Sequence, residues 1–106
     1  MDADSEPLAQ FSFETQIIEW RGPSPFFYAP IPADELERLR PAAKAVTYGW
    51  GVVPVEATIG GVVFTTSLFP KDGTFLLPIK AAVRRQAEIT AGDTIAVEMR
   101  IDATER

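Results

Sequence analysis

Three basic residues lie close together in the stretch PIKAAVRRQAE: Lys80, Arg84 and Arg85. If this stretch is helical, Lys80 and Arg84 are four residues apart and share one side of the helix. An ammonium and a guanidinium on one side can hold a phosphate or a carboxylate through charge-assisted hydrogen bonds. The sequence therefore predicts an anion-binding site at these three residues. A solvated helix face, helped by Glu88 four residues after Arg84, is the alternative explanation.

Aromatic residues are concentrated in the first half of the chain, where six lie within 31 residues: Trp20, Phe26, Phe27, Tyr28, Tyr48 and Trp50. Aromatic side chains contribute much of the energy of interfaces and often line ligand grooves. Because adjacent strand residues point to opposite faces, we expect at least one of Phe26 and Phe27 outside the core. The predicted contact surface is Trp20 with residues 26–28. The alternative is that these rings fill the interior of a small barrel.

Catalytic and metal-binding chemistry has little support. The chain contains no Cys, which excludes disulfides and thiolate nucleophiles, and no His, the commonest general base and metal ligand. Thr65, Thr66 and Ser67 supply hydroxyls, and Lys80 could act as a base for Ser67. No nucleophile elbow or oxyanion-forming glycine loop accompanies that serine. These observations favour a non-enzymatic protein with no catalytic residue, cofactor or metal site, and leave an unrecognised activity open.

The charge of the chain is negative overall and unevenly distributed. The 106 residues carry a net charge of −5, and residues 1–37 hold eight acids against a single base. DNA binding depends on neutralising phosphates, normally with a basic stripe on the protein surface. Three clustered basic residues on an acidic chain are only weak evidence for a DNA-binding surface. Nucleic acid is therefore a disfavoured partner, although a homodimer would bring two such clusters together.

The beginning of the chain, MDADSEPLAQ, is acidic and polar, unlike the basic and apolar start of a signal peptide. No apolar run approaches the roughly 18 residues that a membrane span needs. We therefore expect a cytoplasmic protein that makes no membrane contact. Residues 1–9 are predicted to form a disordered acidic tail, and residues 10–103 a single domain.

Alternating apolar residues predict a mostly β chain. Residues 53–59 alternate between apolar and polar side chains, the glycines at 60–61 suit a two-residue hairpin turn, and residues 62–69 return alongside. Residues 94–101 show the clearest alternation. An N-terminal strand begins at Phe11. Its apolar residues change to the other face of the strand after Ile17, which indicates a bulge or the end of the strand.

Two short helices interrupt the strands. Residues 33–40, ADELERLR, place acids first and bases last, and Pro41 is predicted to end this helix. Residues 80–88 form the second. Each helix follows a strand that contains proline, at 26–32 and 74–79, and the first of these strands must lie at an edge or end early. This faint repeat suggests two half-units that close into one barrel.

Residues 55–102, VEATIGGVVFTTSLFPKDGTFLLPIKAAVRRQAEITAGDTIAVEMRID, resemble the DUF1905 family, a bacterial and archaeal domain of unknown function. The resemblance is carried by the paired glycines after TI, the TSL.P..G turn, Lys80, Arg84 and the AGDT.AVE end; PFFYAPIP matches more loosely. It implies an all-β fold with two short helices, a small closed double-split β-barrel built from two pseudo-repeated halves. That architecture is similar to AbrB-type transcription factors, in which two chains build the barrel. The family implies no activity, cofactor or catalytic residue.

Together these observations predict a non-enzymatic binding module, monomeric or homodimeric, for an unidentified small ligand or protein. Its expected contact surfaces are the aromatic strand with Trp20 and the basic helix. The alternative hypothesis is an AbrB-like DNA-binding regulator that acts as a dimer through Lys80, Arg84 and Arg85.

Overall fold

A computed structural model describes residues 8–21, 26–47 and 51–102. In chain order the strands and helices are β1 (Ala9–Gln16), β2 (Ile18–Trp20), β3 (Phe26–Pro30), α1 (Leu36–Val46), β4 (Val53–Ile59), β5 (Val62–Lys71), β6 (Thr74–Pro78), α2 (Ala81–Ala87) and β7 (Thr94–Ile101). A 3-10 turn over Ala33–Glu35 leads into α1. Most of the predicted N-terminal tail lies outside the described residues, as do Tyr48 and Trp50. No helix in the described ranges has the length and apolar character needed to cross a bilayer.

The strands form one curled antiparallel sheet in the order β1-β7-β4-β5-β6-β3-β2. The two outermost strands, β1 and β2, are consecutive in the chain and are separated by Ile17 alone. The Ile17 N–H donates to the Asp93 carbonyl (2.9 Å), and the Gly92 N–H donates to the Ile17 carbonyl (2.8 Å). The predicted interruption of the N-terminal strand at this point is therefore confirmed. The mostly β fold with two short helices is confirmed as well.

The inward faces of β4 and β7, which pair with each other directly, contribute a large part of the core. Every second residue is buried along both strands, as the alternation predicts: Val53, Val55, Ala57, Ile59, Ile95, Val97, Met99 and Ile101. Burial of one such side chain contributes about 1.5–3 kcal/mol. The predicted hairpin between β4 and β5 is also confirmed, because Gly60 and Gly61 both adopt positive φ (+56° and +80°). This conformation matches the twist of the flanking strands.

The prediction that Pro41 ends the first helix is wrong. The helix continues to Val46, and Leu39, Ala43 and Val46 are buried on one side at spacings of four and three residues. Proline inside a helix removes one backbone hydrogen bond. Burial of two further apolar side chains beyond Pro41 outweighs that loss. The other proline prediction holds, since β3 is short and ends at Pro30.

Candidate functional site

Helix α2 carries two of the three predicted basic residues and begins directly after the third. Lys80 is the residue before the helix and is extended (φ −71°, ψ 161°). The prediction that Lys80 and Arg84 are neighbours within one helix is therefore wrong. The reason is that the Ile79 N–H donates to the Phe27 carbonyl (2.9 Å), which prolongs the pairing of β6 with β3 past Pro78. The chain stays extended until that pairing ends.

The Arg84 side chain is held against the end of β3. Its guanidinium carbon lies 3.6 Å from the centre of the Phe27 ring. Its Nη1 donates to the Ile79 carbonyl at 2.8 Å. These two contacts fix the guanidinium plane over the ring, an arrangement that favours arginine over lysine.

The solvated-face explanation supposed that Glu88 pairs with Arg84, but the two side chains form no ion pair. Glu88 terminates α2 in the left-handed conformation (φ +58°). Among the described residues, no carboxylate forms an ion pair with Lys80, Arg84 or Arg85. The positive charge of this cluster is thus unmatched within the described part of the protein.

The aromatic residues of β2 and β3 divide between two faces. Phe27 is half-buried and packs against the core, whereas Phe26 is 54% exposed and Trp20 is 46% exposed. The prediction that at least one of Phe26 and Phe27 lies outside the core is confirmed. Trp20 pairs with Phe26 across the two strands, so both rings lie on the outer face of the sheet.

A further group of contacts extends this outer face. The Phe26 and Tyr28 rings are stacked with centres 6.3 Å apart, and Tyr28 meets Phe69 of β5 edge-to-face at 5.1 Å. The Lys71 Nζ lies 4.3 Å from the centre of the Trp20 ring. Lys71 and Phe69 were not among the predicted site residues, and their distance from β2 and β3 in the sequence left no pattern that could have identified them.

Parts of the two predicted surfaces meet in one cavity of about 270 Å³, lined by Phe26, Phe27, Tyr28, Pro78, Ile79, Lys80, Ala81 and Arg84. Trp20 and Arg85 do not line it; Arg85 borders a neighbouring depression, to which Arg84 also contributes. Pockets for drug-sized ligands usually have about 300–1,000 Å³. This cavity therefore suits a small molecule or one group of a larger partner.

Two larger depressions, of about 770 Å³ and 540 Å³, lie around Arg100 of β7. Arg100 donates to Asp102 at 2.9 Å and 3.1 Å and approaches Glu56 at 3.9 Å. The hydrogen bonds and negative charge of Asp102 raise the pKa of Arg100 above its ordinary value, and Glu56 adds to the effect. The charge of Arg100 is therefore matched by its neighbours, in contrast to that of Arg84.

The structure places Ser67 and Lys80, the hydroxyl and the amine considered together from the sequence, in different depressions. Ser67 lines the 770 Å³ depression, whereas Lys80 lines the 270 Å³ cavity. Within the described ranges, no three acidic side chains are grouped closely enough to hold a metal ion.

The sequence model of one family, a domain of unknown function (DUF1905), matches residues 13–99. No curated protein matches the chain. The matched segment includes every residue that lines the 270 Å³ cavity. It also covers most of the 106-residue chain, and the protein therefore belongs to the DUF1905 family.

Proposed function

We propose that this protein is a non-enzymatic cytoplasmic binding module, and that its ligand site is the cavity between β3 and the beginning of α2. The observation that supports this most directly is the state of Arg84. Its guanidinium is fixed by the Phe27 ring and the Ile79 carbonyl, with no ion-pair partner among the described residues. An arginine held in this way loses little conformational freedom when it binds an anion.

The proposed ligand carries an anionic group, a carboxylate or a phosphate, next to a flat apolar portion. Lys80 and the free N–H groups of Arg84 would bind the anion, because both line the cavity and both are cationic. The rings of Phe26 and Tyr28 line the same cavity and offer apolar contact area to the rest of the ligand. The small volume of the cavity favours a ligand with a single ring.

We also infer that the curled sheet closes into the double-split barrel implied by the family resemblance. Two observations support closure. The strands at the two ends of the sheet, β1 and β2, are halves of one continuous segment. In addition, the Thr15 hydroxyl of β1 donates to the Pro30 carbonyl of β3 at 2.6 Å, which links the two ends of the sheet.

Titration of the amide NMR spectrum with phenyl phosphate, benzoate and inorganic phosphate tests the proposed site. We expect phenyl phosphate to shift the amide signals of Phe27 and residues 79–84 at lower concentration than inorganic phosphate does. Arg84→Gln should weaken this binding about tenfold, the loss expected for a charge-assisted hydrogen bond. Arg85→Gln is the matched control, because it removes the same charge from the same helix outside the cavity.

Two results would contradict the proposal. Equal weakening by Arg84→Gln and Arg85→Gln would mean that overall charge, and not the cavity, attracts the anion. Absence of any shift in residues 79–84 with all three compounds would mean that the cavity is not an anion site.

The AbrB-like DNA-binding alternative makes a different prediction for the same variants. A random-sequence duplex bound through phosphate contacts would be released steeply as salt increases. Its affinity would fall similarly on replacement of Lys80, Arg84 or Arg85, because each would neutralise one phosphate. The exposed positions of Lys80 and Arg85 fit this hypothesis, whereas the net charge of −5 opposes it.

A further inference from the structure

One backbone edge of strand β2 faces away from its neighbour β3, which follows from the hydrogen bonds of β3. The Ile79 N–H donates to the Phe27 carbonyl, and the Ile31 N–H donates to the Phe75 carbonyl. The odd-numbered residues of β3 therefore direct their backbone groups to β6. Because these directions alternate along a strand, Phe26 and Tyr28 direct theirs to β2.

The same alternation fixes the directions within β2. Ile18 and Trp20 lie opposite Tyr28 and Phe26, so their backbone groups point to β3. The groups of Ile17 and Glu19 consequently point away from it, and continuation of the strand by one residue would direct those of Arg21 the same way. The backbone N–H and C=O groups of Ile17 are hydrogen-bonded to the turn at residues 92–93.

Glu19 lies on this outward edge, and Arg21 follows directly after the end of β2. In the part of the chain that the structure describes, the outward backbone groups of Glu19 and the backbone groups of Arg21 form no hydrogen bond. Unpaired groups along a strand edge are a template for pairing with another strand.

The side chains beside this edge are unusually apolar for a surface. Ile18 is 41% exposed, Trp20 46% and Phe26 54%, and register places Trp20 directly beside Phe26. A contiguous exposed apolar surface of this kind typically marks an interaction site. Glu19, on the opposite face of the strand, and Arg21, directly after the strand, are both exposed and carry opposite charges.

We propose that two copies of this chain pair antiparallel through β2, about a two-fold axis at Trp20. Glu19 then lies opposite the partner's Arg21, and Arg21 lies opposite the partner's Glu19. With β2 extended to include Arg21 in the dimer, both positions direct their backbone groups to the partner strand, so the two pairs exchange four backbone hydrogen bonds. Trp20 meets the partner's Trp20 at the position where cross-strand side chains approach most closely.

The charges select this register over the other symmetric ones. An axis at Glu19 would place two carboxylates opposite each other, and an axis at Arg21 would place two guanidinium groups opposite each other. Like charges directly opposite on paired strands are destabilising. The register centred on Trp20 converts both contacts into opposite-charge pairs. It does not use Lys80 or Arg84, whereas Phe26, which lies beside Trp20, also lines the proposed ligand site.

The edge is only three residues long, so the interface falls in the small, weak class. We expect a dimer that dissociates on dilution through the micromolar range. Sedimentation velocity of the full chain across a concentration series measures this equilibrium directly.

Two charge reversals test the register. Glu19→Arg and Arg21→Glu each place like charges opposite each other twice, so each should weaken self-association about tenfold. Mixed in equal amounts, the two variants should associate with each other, because every cross-strand pair is then again of opposite charge. Glu14→Arg is the matched control: Glu14 is also an exposed strand glutamate, but it lies on β1 away from this edge.

Circular dichroism melting of each variant establishes that it is folded. The proposal is overturned if the unmodified chain stays monomeric at the highest concentration, or if Glu14→Arg weakens association as much as Glu19→Arg. It is equally overturned if the equal mixture of the two single variants associates no better than either variant does separately.

Discussion

Replacement of Arg84 by alanine should destabilise the protein far more than the same replacement of Arg85, its neighbour on α2. Arg84 contacts the Phe27 ring at 3.6 Å and donates to the Ile79 carbonyl at 2.8 Å. The Arg85 side chain is exposed and forms no hydrogen bond or ion pair with the described residues. Both variants remove the same charge from the same helix. The difference between them therefore measures the contacts of Arg84.

The expected magnitude follows from the two contacts. A cation over an aromatic ring contributes about 0.5–2 kcal/mol, depending on its desolvation. A hydrogen bond from a charged donor contributes about 1.5–3 kcal/mol, with the lower end appropriate because Arg84 is only half-buried. Since the two contacts are coupled, we expect Arg84→Ala to lower the free energy of unfolding by about 2 kcal/mol. For a domain of this size that corresponds to a decrease in Tm of about 10 °C.

Urea denaturation followed by far-UV circular dichroism provides the free energies of unfolding. Arg85→Ala should change this value by no more than about 0.5 kcal/mol, as is usual for an exposed residue. A double-mutant cycle with Phe27→Leu should return a coupling energy of about 1 kcal/mol between Arg84 and Phe27. If the two alanine variants prove equally stable and the coupling is zero, Arg84 is a solvated helix residue and the anion site is not preorganised.

Three further predictions concern the scaffold. Val97→Ala, at a fully buried strand position, should cost about 2–3 kcal/mol in thermal or urea unfolding, whereas Val63→Ala, at a position 60% exposed, should cost less than about 0.5 kcal/mol. Pro41→Ala should raise the free energy of unfolding by about 1–2 kcal/mol, because it restores a helix hydrogen bond; a decrease would mean that α1 does not continue through this position. Thr15→Val should cost about 1 kcal/mol by removing the hydrogen bond to Pro30, and slower amide exchange near either residue would contradict this link between the ends of the sheet.

The strands were predictable because their signal is local. In β4 and β7, side chains two residues apart share a face, so burial of one face leaves an alternating pattern in the sequence. The paired glycines at 60–61 are equally informative, since they supply the positive φ that a two-residue turn needs. Patterns of this kind depend only on neighbouring residues, and they identified the main core without knowledge of the strand order.

Both helix boundaries that the sequence misplaced depend on long-range packing. The local rule that proline ends a helix failed at Pro41, because Ala43 and Val46 are buried in the core by continuing α1. The expectation that Lys80 is helical failed because a hydrogen bond from Ile79 to Phe27 keeps this segment extended. Neither contact has a counterpart in the local sequence pattern.

The sequence by itself determined the composition of the candidate site: a protein without Cys or His, with one basic cluster and one aromatic strand. It could not show that Arg84 lies on Phe27, or that Trp20 is separated from the cavity to which Phe26 contributes. The tertiary structure decided this, because β3 and β6 pair and thereby bring the end of one strand to the start of α2. Contacts between residues so far apart in the chain follow no periodicity, and only the pairing of the strands determines which of them form.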